Sequence, residues 1–185
     1  MSEMWAGPGK RIFLDKIVGP LHVSKEVLNQ NNVHLIYMLR PVEPTLQSLM
    51  KMIGGWRPTN SIEESREQAL DFYCKRLTGL RSQVALSKSE HFYIDSDDLV
   101  KRTEMVLKQL STWLNLKEPL TSSYNQFQHT GVLGHGDPSG NIKTGSIVTT
   151  LETCDYVFDQ SDIDHAEHEY QLCREVLIAG SSNVA

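Results

Sequence analysis

Residues 33–39 read Val-His-Leu-Ile-Tyr-Met-Leu, almost all apolar or aromatic. A short run with so little polar alternation predicts a strand buried on both faces. Arg40 ends it, and Pro41 and Pro44 bar a central strand from continuing. From Thr45 the period changes: Leu46, Leu49, Met50 and Ile53 fall at i, i+3, i+4 and i+7, one face of a helix. The expectation is strand, tight turn, helix, with an arginine at the carboxyl end of the strand. Open α/β sheets bind their ligands at that end.

The same reading extends along the chain. Residues 1–10 form a loose, Gly/Pro-rich lead-in, and a strand over 11–17 ends near Lys16. If that strand lies parallel beside the next, Lys16 and Arg40 face one crevice, an arrangement that asks for an anion or a carboxylate between them. Residues 18–32 supply the crossover, with Ser24 capping a short helix over 25–29. Residues 54–60 read as a loop, and Ser61 with Glu64 forms a capping box. The long helix that follows carries Ala69, Phe72, Tyr73, Leu77 and Leu80 on its apolar side and runs on through 80–87. His91-Phe92-Tyr93-Ile94 is a third strand. Ser96-Asp97-Asp98-Leu99 opens a helix over 100–116 with Leu99, Val106, Leu107, Leu110, Trp113 and Leu114 as its core stripe. A last helix starts with Ser161 as cap and packs Tyr170, Leu172, Cys173, Val176 and Leu177; residues 179–185 are expected to be disordered. Strands alternating with helices predict an α/β fold, a small parallel sheet flanked by helices. No linker or repeat divides the chain, so 1–185 reads as one domain, with a glycine-rich loop at 125–150 and the terminal helix at 160–178.

Composition narrows the function. At 39% hydrophobic and 22% charged the chain has enough apolar residues for one core. A net charge of −5 and a pI near 5.8 argue against a general nucleic-acid or membrane-surface binder. Cys74, Cys154 and Cys173 are odd in number and far apart, which suggests a reducing compartment and no disulfide framework. No apolar run approaches the ~20 residues of a membrane span, so the cytoplasm is the expected location.

Arg40 and Ser48 are the leading candidates for chemistry. An arginine fork and a serine hydroxyl eight residues on, early in the helix, suit two oxygens of one phosphate. The alternative is an arginine paired with a carboxylate and a serine on a solvated face. Glycines at 131, 134, 136, 140 and 145 permit close backbone approach to an anion, and Lys143 adds charge beside Gly145. A surface loop without a ligand is the alternative there. Gly7-Pro8-Gly9-Lys10 is not a phosphate loop, because that motif joins a strand to a helix. His165 and His168 near loose acids do not define a metal site, and no metal is expected.

Leu35-Ile36-Tyr37-Met38-Leu39-Arg40-Pro41 through Ser48 resembles the sulfotransferase signature, a strand ending in arginine with a serine on the next helix. Phe92-Tyr93-Ile94-Asp95-Ser96-Asp97-Asp98-Leu99 is similar to the family's tyrosine-acidic-leucine stretch, and Trp113-Leu114-Asn115-Leu116 to its closing segment. Phe13-Leu14-Asp15-Lys16 resembles the family strand whose terminal lysine lies near the transferred group. The resemblance covers residues 11–117. It implies a P-loop-like α/β fold with phosphoadenylyl sulfate (PAPS) as sulfuryl donor. By the same resemblance Arg40 and Ser48 would hold the 3′-phosphate, Tyr93 would border the nucleotide, and Lys16 would stabilise the bridging oxygen. Lys143 and Gly145 would belong to the covering loop.

The departures shape what is expected. The family's 5′-phosphate loop, which precedes the lysine strand, is not found. Val18 stands where the soluble enzymes place a histidine base, leaving His22, in the crossover, as the candidate base. Three readings follow. The first is a sulfotransferase-like enzyme acting on a hydroxyl or amine of a small-molecule or glycan acceptor. The second is an inactive binding module that keeps only the 3′-phosphate pocket, and the third a diverged P-loop-type, kinase-like protein. A homodimer or a partner chain covering the N-terminal sheet edge is compatible with each.

Overall fold

The computed structural model describes residues 2–6, 10–14, 23–87, 89–126, 140–148 and 156–183. Strands β1 (Ser2–Ala6) and β2 (Lys10–Leu14) pair antiparallel, with Ala6 opposite Lys10 and Ser2 opposite Leu14. Residues 2–6 and 10, expected as part of a loose lead-in, are therefore strand. The expected parallel pairing of this second strand with the apolar run is also corrected, since the two belong to separate sheets.

The apolar run forms β3 (Leu35–Leu39), preceded by α1 (Lys25–Leu28), whose cap is the Ser24 hydroxyl accepting from the Val27 N–H. Helices α2 (Val42–Trp56) and α3 (Ile62–Leu86) lead to β4 (His91–Asp95), which pairs parallel to β3 with Leu35 opposite His91 and Leu39 opposite Asp95. Parallel neighbours require such a helical crossover. The chain continues through α4 (Ser96–Lys101) and α5 (Thr103–Trp113) and ends with α6 (Gln160–Ala179).

The pleat of the two strands divides the core. Tyr37, Leu39 and Tyr93 face α2, α3 and α6, while Phe92, Ile94 and Ile36 pack with Val106 and Leu110 of α5 and with Trp113. Helices thus flank a small, open sheet, which is why both strands read as continuous apolar runs. The seam between α3 and α6 joins Ala69, Tyr73, Leu77 and Leu80 to Ala166, Tyr170, Cys173 and Leu177. Both sets follow spacings of three and four, and each wholly buried leucine contributes roughly 2 kcal/mol. Ser61 and Glu64 close the predicted capping box at the start of α3.

Four local expectations are revised. Helix α2 continues through Gly54, Gly55 and Trp56, because the ladder persists until the Arg57 N–H donates to the Ile53 carbonyl at 2.7 Å. The helix expected over 100–116 is two, broken at Arg102, whose backbone leaves the helical region (φ −131°, ψ 38°). The cap of α6 is Asp159 rather than Ser161, and of its expected stripe Leu172 and Val176 lie partly exposed. The chain after α6 does not fray at once. Ser181 bridges to His91, and the Asn183 side chain both accepts from the Tyr93 N–H and donates to the Tyr93 carbonyl, each at 2.9 Å. An asparagine amide reproduces the donor and acceptor of a backbone unit, so it continues the sheet on the outer edge of β4.

His91 fits beneath the end of α6. Its Nε2–H donates to the Leu177 carbonyl at 2.8 Å, and its ring meets Tyr37 edge-on at 4.9 Å. Burial pushes this imidazole below its ordinary pKa, against the smaller opposing effect of the Leu177 bond. A Cβ at position 180 would stand 2.8 Å from His91 Cε1, so glycine lets the backbone pass over the ring.

Candidate functional site at the strand ends

The register places Leu39 opposite Asp95, so β3 and β4 release Arg40 and Ser96 side by side into α2 and α4. Two hydroxyls fix the Arg40 turn. Tyr73 donates to the Arg40 carbonyl at 3.1 Å, and Thr45 donates to the Pro41 carbonyl at 2.7 Å, with the Arg40 carbonyl 3.3 Å away. With its backbone held from both sides, Arg40 projects an exposed guanidinium. No carboxylate among the described residues pairs with it.

Ser48 is exposed on α2. It lies one helical turn after Thr45 on the same face. Because Thr45 touches the Arg40 turn, Ser48 stands one turn behind it. Beside Ser48, Gln47 clasps the chain returning at Tyr156: its amide donates to the Tyr156 carbonyl at 2.6 Å and its carbonyl accepts from the Tyr156 N–H at 3.1 Å. Arg66 of α3 adds a bond to the Val157 carbonyl at 3.1 Å.

Tyr93 lies in the middle of β4 and is buried, its hydroxyl donating to Asp95 Oδ1 at 2.5 Å. It reaches the strand ends only through that carboxylate. Asp95 is the centre of a polar cluster that the sequence pattern did not single out. Tyr170 donates to its Oδ1 at 3.2 Å, and Arg174 Nη2 donates to its Oδ2 at 2.8 Å. Burial opposes ionisation of Asp95, but the bonds from Arg174 and Tyr93 outweigh it and hold the carboxyl below its ordinary range. The same cluster raises both phenols, chiefly by burial, Tyr170 to about 12 and Tyr93 further. Tyr170 and Arg174, four residues apart on the inner face of α6, were the available signal: an arginine flanking an apolar stripe asks for a carboxylate.

Lys143 is exposed in a short 3-10 helix, Gly140–Thr144. Gly145 follows in the left-handed region (φ 73°), a conformation glycine adopts freely, and its carbonyl accepts from the Tyr124 N–H at 2.9 Å. Gln126 bonds the Lys143 carbonyl, so this segment is held on residues 123–126. No described contact joins it to the Arg40 turn. Lys16 and His22 lie outside the described residues, as does the glycine-rich stretch before Gly140. Among the described residues no group of three or more His, Cys, Asp or Glu could hold a metal, and no helix is long and apolar enough to cross a membrane.

No family model matches the chain, and no curated protein or solved structure matches it either. The fold stands as a small mixed α/β domain, and its function rests on the geometry at the strand ends.

Proposed function

We propose that the chain is a sulfotransferase-like domain that receives the 3′-phosphate of PAPS at Arg40 and Ser48. The observation that carries this reading is the exposed Arg40 guanidinium on a doubly anchored turn at the carboxyl end of a parallel strand. The N-terminus of α2 lies in the same turn and has no side-chain cap, so its first amide and its dipole also favour an anion. The Tyr156 segment clasped by Gln47 would border the nucleotide beyond Ser48.

In the full reaction an acceptor hydroxyl or amine attacks the sulfur. Its proton passes to a base, and the bond from sulfur to the bridging phosphate oxygen breaks. The products are the sulfated acceptor and adenosine 3′,5′-bisphosphate. Lys16 would support the charge that grows on the bridging oxygen, and His22 would take the proton. The antiparallel β1–β2 pair favours a second reading, because the strand that precedes Lys16 is not seated beside β3. Under it the domain binds the 3′-phosphate without transferring sulfuryl.

Calorimetric titration with adenosine 3′,5′-bisphosphate tests both. Binding should be micromolar, and Arg40→Ala should weaken it by about tenfold or more, as expected for loss of a charge-assisted pair. Ser48→Ala should have a smaller effect, and adenosine 5′-monophosphate should bind less well. Absence of binding, or indifference to Arg40→Ala, would overturn the nucleotide assignment. Sulfuryl transfer to a panel of hydroxyl acceptors then separates enzyme from binding module.

A further inference from the structure

A single imidazole joins the end of α6 to the start of β4. His91 is 2% exposed, closed in by the Tyr37 ring of β3 and by the backbone at Gly180. A carbonyl only accepts, so the 2.8 Å bond to Leu177 puts the proton of neutral His91 on Nε2 and leaves Nδ1 without one. Leu177 is among the last four residues of α6, whose carbonyls the helix itself leaves unsatisfied. The residues after α6 are held on the same strand. Ser182 donates to the His91 carbonyl from its N–H and from its hydroxyl, each at 3.0 Å. The Tyr93 N–H donates to the Ser181 hydroxyl at 3.2 Å as well as to Asn183. His91 thus holds the helix end with its ring and the tail with its backbone.

Acid adds its proton at Nδ1, which places a positive charge where water hardly reaches. Facing the ring are the Tyr37 phenol from β3 and the Leu177 carbonyl from α6. The charged groups of the surrounding elements are directed elsewhere. Glu90 and Glu175 are exposed, Arg174 pairs with Asp95 at the far end of β4, and Arg76 of α3 acts on the Tyr37 phenol. Burial is the larger influence on the imidazole and the Leu177 bond the smaller, so its native pKa lies below the ordinary 6.5. The sign follows: the neutral ring stabilises the contact fully above pH 6.5, and that stability is lost as the pH falls below 6.5 toward the native value.

We propose that His91 is an acid-sensitive latch for the C-terminal end of the chain. Neutral, it keeps the end of α6 and residues 181–183 on β4; protonated, it releases them and uncovers the outer edge of that strand. The latch is separate from Arg40 and independent of the nucleotide reading.

Hydrogen exchange of the whole protein at about pH 7.5 and about pH 5, each rate divided by the intrinsic rate at that pH, tests it. Protection of the Tyr93 and Ser182 amides should fall by about threefold or more in acid, while amides in the middle of α3 keep theirs. His91→Gln retains a side-chain N–H for Leu177 and cannot titrate, so in this variant the fall should disappear. His165 and His168, exposed near the start of α6, are present in both chains and cancel. If the variant does not fold, an NMR titration of the native imidazole serves instead. Its midpoint should lie below 6.5, with the Tyr93 and Ser182 amide signals moving at the same pH. Protection indifferent to pH, an equal loss in α3, a fall that persists in His91→Gln, or an imidazole midpoint at or above 6.5 would overturn the proposal.

Discussion

The Asp95 cluster makes a demanding test, because one carboxylate serves three donors from two elements. Asp95→Asn keeps the shape and one acceptor oxygen but removes the charge. A hydrogen bond to a charged acceptor exceeds a neutral one by about 1 kcal/mol, so the Tyr93 and Tyr170 phenols together forfeit about 2 kcal/mol. The Arg174 side chain is 38% exposed, so solvent screens it and its lost pairing adds only about 0.5 kcal/mol. The expected loss is about 2–3 kcal/mol, whereas Asp95→Ala, which strands two buried phenols, should cost about 3–5 kcal/mol. Urea unfolding followed by circular dichroism measures both. The sign with pH is fixed by the lowered native pKa. The charged cluster stabilises fully above the ordinary carboxyl value of 3.8 and is lost as acid takes the pH down through the native value. The gap between native chain and Asn variant should therefore hold above about pH 5 and narrow below about pH 4. His91, present in both, cancels. A gap under about 0.5 kcal/mol at neutral pH, or one that does not narrow in acid, would refute the reasoning.

Other substitutions probe other parts. A Cβ at Gly54 or Gly55 meets nothing within 4 Å, so each Gly→Ala change should stabilise α2 by about 0.5–1 kcal/mol and raise Tm by a few degrees in a thermal melt. Gly180→Ala drives a methyl against His91 and should cost about 1–3 kcal/mol in urea, a penalty that a His91→Ala background should largely remove. Burial pushes the Cys173 thiol up to about 11, so iodoacetamide at about pH 8, followed by mass spectrometry, should modify it at least roughly tenfold more slowly in the folded than in the unfolded chain.

What could be read from the sequence was whatever sits in consecutive residues. The β3 and β4 runs, the Ser24 cap, the Ser61–Glu64 box and the long α3 all declare themselves within a few positions, and each formed. Partners distant in sequence did not declare themselves. Residues 11–17 read as a strand, but nothing in them says that β2 prefers β1 to β3. Gly54 and Gly55 read as a loop because propensity disfavours glycine in helices, yet the packed Leu49, Met50 and Ile53 carry α2 through them. Asn183 read as a loose end because its work is done with its side chain, on a strand 90 residues earlier. For the candidate site, the exposure of Arg40 was legible at the end of an apolar run, whereas the Tyr73 hydroxyl that anchors its turn comes from the middle of α3.

Two arginines, Arg40 and Arg174, stand at the carboxyl ends of the strands, and Asp95 engages one of them. It binds Arg174 with both carboxylate oxygens, while Arg40, beyond the residue paired with Asp95, keeps its charge at the surface. Neighbouring strands lie about 4.8 Å apart, so the backbone of Arg40 leaves β3 within a screening length of about 10 Å of the Asp95 backbone. Removing the negative partner should then raise the local positive potential and release Arg174 as a second donor. The Asp95→Asn variant that loses stability should therefore gain affinity for adenosine 3′,5′-bisphosphate, by about threefold to tenfold at low salt, with the gain fading as salt rises. Calorimetry at two ionic strengths reads it, at a temperature where the variant remains folded. A folded variant that binds more weakly than the native chain would mean that Asp95 positions the Arg40 turn rather than neutralising its neighbour.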